Sequence, residues 1–323
     1  MNVISPGGVR SFRNYLTNPK WVISIALFCS VLWGSAFPVL KVSYLVLGMV
    51  PDDLSANIVL AGIRFFLASL LIFGMIALAG INPMVKKAMF PKLFSLSLMQ
   101  IGLQYFFFYN GMAHTSGMKG AVLSSTGIFF VVVLAHFVYT DDRLDWRKVF
   151  GLCTGFSGVI LVNYGKHFSF DFSWQGEGFM ICSGLASAVG TIMAKQYAQN
   201  VHPFVLTAWQ MLLGSLLLIS VGLPGLRPHA MEFTAEAYLL LLYSAFISAV
   251  AFSLWYTILK YHKAGKISVY NFMTPVSGAI LSALFIPGES LTVNMFLGLA
   301  LATGGIIVVN RQKTINGLKE SCR

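Results

Sequence analysis

The sequence divides into long apolar runs separated by short polar connections. Ten apolar cores stand out, at residues 21–40, 58–80, 93–113, 120–139, 149–164, 178–194, 204–223, 237–259, 267–286 and 291–310. Most are about 20 residues long, the length an α-helix needs to cross a hydrocarbon layer. The cores at 149–164 and 178–194 are shorter, so their helices are expected to extend into the flanking connections. Each core must be helical if it spans, because hydrocarbon offers the backbone no hydrogen-bond partner outside the segment. The pattern predicts an all-α polytopic membrane protein with ten transmembrane helices. Arg64 is the only formally charged side chain within these cores.

A shift of 147 residues lays residues 105–163 on residues 252–310 without a gap. It pairs Tyr109 with Tyr256, Lys119 with Lys266, Gly151 with Gly298, Gly158 with Gly305 and Asn163 with Asn310. Upstream the shift drifts but persists: Cys29-Ser30 matches Cys182-Ser183, and Leu67 to Leu71 matches Leu213 to Leu217. The chain therefore reads as two five-helix units, residues 21–164 and 178–310. A segment at 1–20 precedes them and a tail at 311–323 follows, both expected in the cytoplasm. Five is odd, so the second copy enters the membrane upside down. Inverted repeats of this kind are a recurrent plan of secondary transporters, with the site at the repeat interface.

Composition narrows the class further. Residues of the AVILMFWYC set make up 57% of the 323, and charged residues only 10%, against about 25% in soluble domains. A soluble enzyme, a secreted disulfide scaffold and a disordered tail protein are thereby excluded. The net charge of +11 lies in the connections between cores, where membrane orientation accounts for it better than nucleic-acid binding. With the N-terminus inside, seventeen Lys and Arg residues fall on the cytoplasmic side. Four, Lys41, Lys119, Lys166 and Arg227, fall on the other. This asymmetry predicts an N-in, C-in topology in the plasma or inner membrane. The first core follows a basic segment, yet cleaving it as a leader would leave nine spans and break the repeat. It reads as a retained signal anchor. The four cysteines form no C-x-x-C pair, so neither a zinc site nor a disulfide framework is indicated.

No Asp or Glu falls in any core, and the six histidines show no metal-ligand spacing. A membrane hydrolase, which needs clustered Asp, His or Glu, is disfavoured, and no cofactor or metal is expected. Proton coupling would have to run through peripheral groups such as Glu177 or His114. The substrate-cavity candidates are aromatic and polar. Trp33, Phe37, Tyr105, Tyr109, Trp255 and Tyr256 could bury apolar substrate parts, and the hydroxyls of the repeat-matched Tyr109 and Tyr256 could fix orientation. Gln104, Ser125, Ser187, Asn271 and Thr274 supply polar atoms at depth, and Pro275 frees a backbone carbonyl at a kink. Lys119 and Lys266, at opposite ends, are mouth or gate candidates, and so are Pro275 and Arg64. Arg64 lies seven residues into the second core, roughly 9 Å below the outer interface. There it would snorkel, pair with Asp52 or Asp53, or bind a substrate carboxylate or phosphate.

Several short motifs resemble the EamA-like branch of the drug/metabolite transporter superfamily. They are Trp33-Gly34-Ser35-Ala36-Phe37, Arg64-Phe65-Phe66-Leu67, Asn271-Phe272-Met273-Thr274-Pro275, Pro287-Gly288-Glu289-Ser290-Leu291, and Gly298 with Gly304-Gly305-Ile306. The likeness extends over about residues 21–310, as two successive domains. The first copy departs from it with Ile128 in place of Pro275 and Asp142 in place of Glu289. The resemblance implies ten helices, a central cavity and export or exchange of small metabolites. Together the readings predict a non-enzymatic secondary transporter of small polar or amphipathic solutes, amino-acid-like or drug-like, working by alternating access. Its partners would be membrane lipids and a metabolite, with no nucleic acid and with a homodimer left open. The competing readings are a non-transporting receptor or scaffold, and a membrane-embedded lipid-modifying enzyme.

Overall fold

The computed structural model describes residues 18–50, 53–115, 117–162, 172–286 and 291–310, without the side chains of residues 117–119 and 121. The expected cytoplasmic segment and tail lie almost wholly outside the described residues, as does the Pro287–Gly288–Glu289 motif. Besides two short 3-10 turns at Lys87–Met89 and Leu223–Gly225, the helices among the described residues, grouped across their interruptions, fall into ten stretches. They are α1 (Pro19–Val46), α2 (Leu54–Leu78) and α3 (Phe90–Ser97, a π-helical turn Leu98–Leu103, then Gln104–Ala113). Next come α4 (Gly117–Ser124 and Thr126–Val138), α5 (Trp146–Val162) and α6 (a π-helical turn Trp174–Gly178, then Phe179–Tyr197). The rest are α7 (Pro203–Gly222), α8 (Ala235–Tyr261), α9 (Ala264–Ser268, a 3-10 turn Val269–Phe272, then Met273–Phe285) and α10 (Val293–Asn310). No strand occurs among the described residues.

Side-chain caps set several starts. Asn18 Oδ1 accepts from Lys20 N at 3.0 Å beside Pro19, Asp53 Oδ1 from Ala56 N at 3.1 Å, and Thr234 Oγ1 from Ala237 N at 3.2 Å. Seven of the helical stretches, α1, α2 and α6 to α10, are long and apolar enough to cross a membrane on length and composition. The other three are shorter or interrupted. Large apolar side chains such as Phe28, Leu70, Leu216, Leu242, Phe246 and Leu297 are exposed along the helices. An apolar outer surface of this extent belongs in lipid. The protein is a multi-pass membrane protein.

Equivalent helices pack on one another. At the α5–α10 seam, a Cβ on Gly151 would meet Gly305 O at 3.1 Å, and one on Gly158 would meet Gly298 O at 2.7 Å. Under the 147-residue shift Gly151 corresponds to Gly298 and Gly158 to Gly305, so each glycine faces the counterpart of the other. Val309 covers Gly151 and Val162 covers Gly298, again a corresponding pair. This reciprocity is the signature of a two-fold contact. Rising numbers on α5 meet falling numbers on α10, so the two helices run antiparallel. The α2–α7 pair does the same, with Gly62 against Ser215 and Ile219, and Gly222 against Ser55 and Val59. The remaining packing exchanges in the same way: α1 lies on α8 and α9, and α6 lies on α3 and α4. Matched helices thus pack antiparallel, with corresponding contacts exchanged between the two copies.

The glycine seam makes a discriminating prediction. Gly158→Ala forces backbone apart and should cost about 1–3 kcal/mol, read as a lower thermal unfolding midpoint in detergent. Gly304→Ala, on the same helix pair but with nothing within 4 Å of its Cβ, should hold or raise the midpoint. Equal midpoints for the two variants would contradict the close seam.

Candidate functional site

The two-fold arrangement leaves a cavity of about 250 Å³ between the units. Its wall comes from α1, α2, α3, α4, α6, α8 and α9, while α5, α7 and α10 stand outside it. A volume near the lower end of ligand pockets, about 300–1,000 Å³, suits a small solute.

Broken helices bring polar backbone and side chains to this wall. In α9, Pro275 has no N–H to donate to Asn271 O, and the preceding turn tightens into 3-10 geometry over Val269–Phe272. The first repeat has Ile128 at the corresponding position and still breaks at the corresponding place. There Ser125 N donates to Val122 O and Ile128 N to Ser125 O, both at 3.1 Å and both three residues apart. A Cβ on Gly127 would lie 3.2 Å from Gly184 O on α6, so tight helix contact accompanies the break where proline is missing. In α3 the π-helical turn carries Gln100 next to Gln104. Gln100 Nε2 donates to Gln104 Oε1 at 2.8 Å, and Ser183 Oγ on α6 donates to Gln104 O at 2.9 Å. Gln100 occupies space that only a glycine at position 190 leaves open, since a Cβ there would meet Gln100 Oε1 at 2.2 Å.

One side of the cavity is aromatic. Trp33 on α1 makes edge contacts with Phe252 and Trp255 on α8, at centroid distances of 5.2 and 5.3 Å. Phe65 on α2 meets Tyr105 on α3 at 4.7 Å. Another part is polar: Gln100 Oε1, Ser268 Oγ, Asn271 Oδ1 and Thr274 Oγ1 are buried in the wall and have no protein hydrogen-bond partner. Such atoms are rare in protein interiors and give the wall hydrogen-bonding capacity for a guest. Arg64 on α2 is 8% exposed, donates from Nε to Ser248 Oγ on α8 at 2.9 Å, and sits 5.4 Å from the Phe65 ring centroid.

A polar network ties together the chain at one end of the cavity. Lys148 Nζ reaches Asp142 Oδ1 at 2.6 Å, with both side chains buried. The other carboxylate oxygen, Oδ2, accepts from Gly265 N at 2.8 Å in the first turn of α9. Lys263 Nζ lies 3.8 Å from Asp141 Oδ2 and also donates to Asp141 O. Lys195 at the end of α6 donates to His262 O and rests 5.1 Å from the Tyr139 ring centroid. Tyr139 OH donates to Ile192 O at 3.2 Å. Burial, with help from the Asp142 and Asp141 carboxylates, pushes this hydroxyl up to about 12. It stays a donor at every physiological pH. The network joins the α4–α5 connection to α6 and to the α8–α9 connection.

Every cavity candidate read from the sequence lies on the wall: Trp33, Phe37, Gln104, Tyr105, Tyr109, Ser125, Ser187, Trp255, Tyr256, Asn271 and Thr274. Pro275 joins them. Arg64 lines the cavity and does not pair with Asp53, whose carboxylate instead caps α2 and reaches Arg227 Nε at 3.3 Å. Lys266 is half-buried in the first turn of α9, beside Gly265 and outside the cavity wall. The side chain of Lys119 lies outside the described residues. Sequence reasoning missed Gln100, Thr191 and Ser268. The four-residue spacing of Gln100 and Gln104 was the available signal for the first. It also missed the Asp142–Lys148 pair, although Asp142 had stood out as a departure from the second copy.

Comparison with known proteins agrees with this geometry. The family model described as the EamA-like transporter family matches residues 20–164 and again residues 174–311. An uncharacterized transporter of Archaeoglobus fulgidus is 26% identical over 296 residues, covering 91% of this chain and 99% of its own. The uncharacterized transporter YvbV of Bacillus subtilis is 27% identical over 300 residues, covering 90% and 92%. The uncharacterized inner membrane transporter YedA of Escherichia coli is 22% identical and covers 94% and 93%. A solved crystal structure of 15% identity superposes with a TM-score of 0.77 over 91% of this chain and 97% of its own, and shows that the fold recurs. With both repeats matched and a cavity enclosed between them, the chain belongs to the EamA-like transporter family of membrane transporters.

Proposed function

We propose that the protein is a secondary transporter that moves small polar or amphipathic metabolites by alternating access, as an exporter or exchanger. The observation that carries this reading is a cavity walled by both members of a pair of antiparallel repeats. Such a pair has two near-equivalent packings, obtained by exchanging the conformations of its halves. All ten helical stretches cross the membrane in this reading, with both termini in the cytoplasm and residues 21–164 and 178–310 forming the inverted units. The 17-to-4 split of Lys and Arg supports that orientation. The network at Asp142, Lys148, Lys195 and Lys263 then faces the cytoplasm and holds the inner gate shut. Lys266 belongs to the gate and Tyr256 to the substrate wall.

Purified protein in liposomes should accelerate saturable flux of at least one solute from a panel of amino acids, sugars, nucleosides, organic acids and cationic drugs. Background flux for the whole panel would reject these substrate classes. Lys266→Ala and Tyr256→Phe should each reduce that flux about two- to ten-fold, the range of one hydrogen bond, with unchanged insertion. Unaltered kinetics in both would assign them to structure alone.

The gate carries a stability prediction of its own. Lys148→Met leaves a buried carboxylate without its counter-ion and should cost about 3–5 kcal/mol. Lys263→Met breaks a pair whose side chains are 48% and 69% exposed and should cost no more than about 1 kcal/mol. Thermal unfolding midpoints in detergent check the order; a larger loss for Lys263→Met would rule out a buried Asp142–Lys148 latch.

A further inference from the structure

The cavity has a charge balance that selects among solutes. Among the described residues its wall contains one cation, Arg64, and no Asp or Glu. Arg64 as a residue is 8% exposed, and among the described residues no carboxylate forms an ion pair with it. Its contacts are neutral: Nε donates to Ser248 Oγ, which itself donates to Ser244 O at 3.0 Å, and the Phe65 ring lies alongside. Tyr105 and Tyr109 complete the neighbourhood on the cavity side. One neutral hydrogen bond and one ring leave most of the five N–H donors of a guanidinium for another acceptor. A cation held in a membrane interior without a counter-ion is costly, and such groups face partners or pathways.

We propose that Arg64 is the carboxylate-binding residue of the cavity, and that the transported class is small amphipathic organic carboxylates rather than cations. This inference rests on the transporter reading above. A planar guanidinium takes a carboxylate through two parallel N–H···O bonds. The aromatic wall at Trp33, Phe252 and Trp255 receives an apolar body. Asn271, Thr274 and Ser268 meet a neutral polar group such as an amide or hydroxyl. A cationic solute finds no anionic side chain on the wall and meets the Arg64 charge instead, which disfavours it.

Three matched probes test this with the protein in liposomes: N-acetyl-phenylalanine, its neutral carboxamide, and the cation phenylalaninamide. Saturable flux of the carboxylate should exceed that of the other two by roughly ten- to a hundred-fold, the range of charge-assisted hydrogen bonds. Arg64→Gln should remove the advantage while Arg64→Lys retains part of it. The comparison among probes on the unmodified protein stands even if a variant fails to fold. Equal flux of the three probes overturns the proposal, and so does unchanged carboxylate flux in a folded Arg64→Gln variant. Saturable flux of sugars, nucleosides or cations without flux of the carboxylate also overturns it while leaving the transporter reading intact. Background flux of every solute, probes and panel together, counts against both.

Discussion

The close antiparallel approach of corresponding helices is the constraint on which the structure depends. Lipid tails are as apolar as leucine, so helices in a bilayer gain little by hiding apolar side chains from it. Association relies on close packing, which small residues permit. Gly151 against Gly305 and Gly158 against Gly298 bring α5 and α10 into backbone contact. Gly62 and Gly222 do the same for α2 and α7. These two seams join the units while leaving α1, α3, α4, α6, α8 and α9 to enclose the cavity. The seam helices contribute no more than Arg64 to its wall. Scaffold and site are therefore carried largely by different helices.

Broken helices follow from the same division. Irregular backbone is tolerated inside a membrane where protein or a cavity surrounds it. The π-helical turn of α3 and the interruptions of α4 and α9 all fall at the cavity. The interruption of α4 shows that proline is not required. Ile128 retains its N–H, yet that group bonds three residues back and not four. Contact with Gly184 across the helix interface accompanies the tightened turn.

Much of this was legible in the sequence, for a definite reason. Hydropathy marks helices because the bilayer forces every polar backbone group inward on itself. The 147-residue shift marks the two-fold because symmetric contacts constrain both partners, so the glycines matched in sequence are the ones that touch in space. Aromatic and polar residues at matched depth, such as Tyr109 and Tyr256, were visible for the same reason. What could not be read was rotation and true depth. The second apolar core begins at Ile58, but Asp53 caps a helix that starts at Leu54, and this adds a turn above Arg64. Arg64 therefore sits a turn further from the helix start than the apolar core alone implied, and it contacts Ser248 on α8. Gln100 was missed because a π-helical turn resets the helical register, which ordinary periodicity does not anticipate.

The departures from symmetry bear on how the two ends behave. Under the 147-residue shift, Asp142 corresponds to Glu289, but its partner Lys148 corresponds to Met295. Asp141 corresponds to Gly288 and Lys263 to Ser116. The matched positions keep one carboxylate, Glu289, and none of the other three members of the two ion pairs. In the proposed exchange between two packings, the positions matched to Asp142, Lys148, Asp141 and Lys263 supply no cation, so the matched residues do not repeat these ion pairs. Each 1.4 kcal/mol of such imbalance shifts a two-state population about ten-fold. The bonds that such an exchange would break are those that cross to the second unit, above all Gly265 N to Asp142 Oδ2, and a hydrogen bond to a charged group is worth about that much. In the proposed exchange these bonds would favour closure at the latched end, and substrate binding would draw on its differential affinity for the other packing to release it.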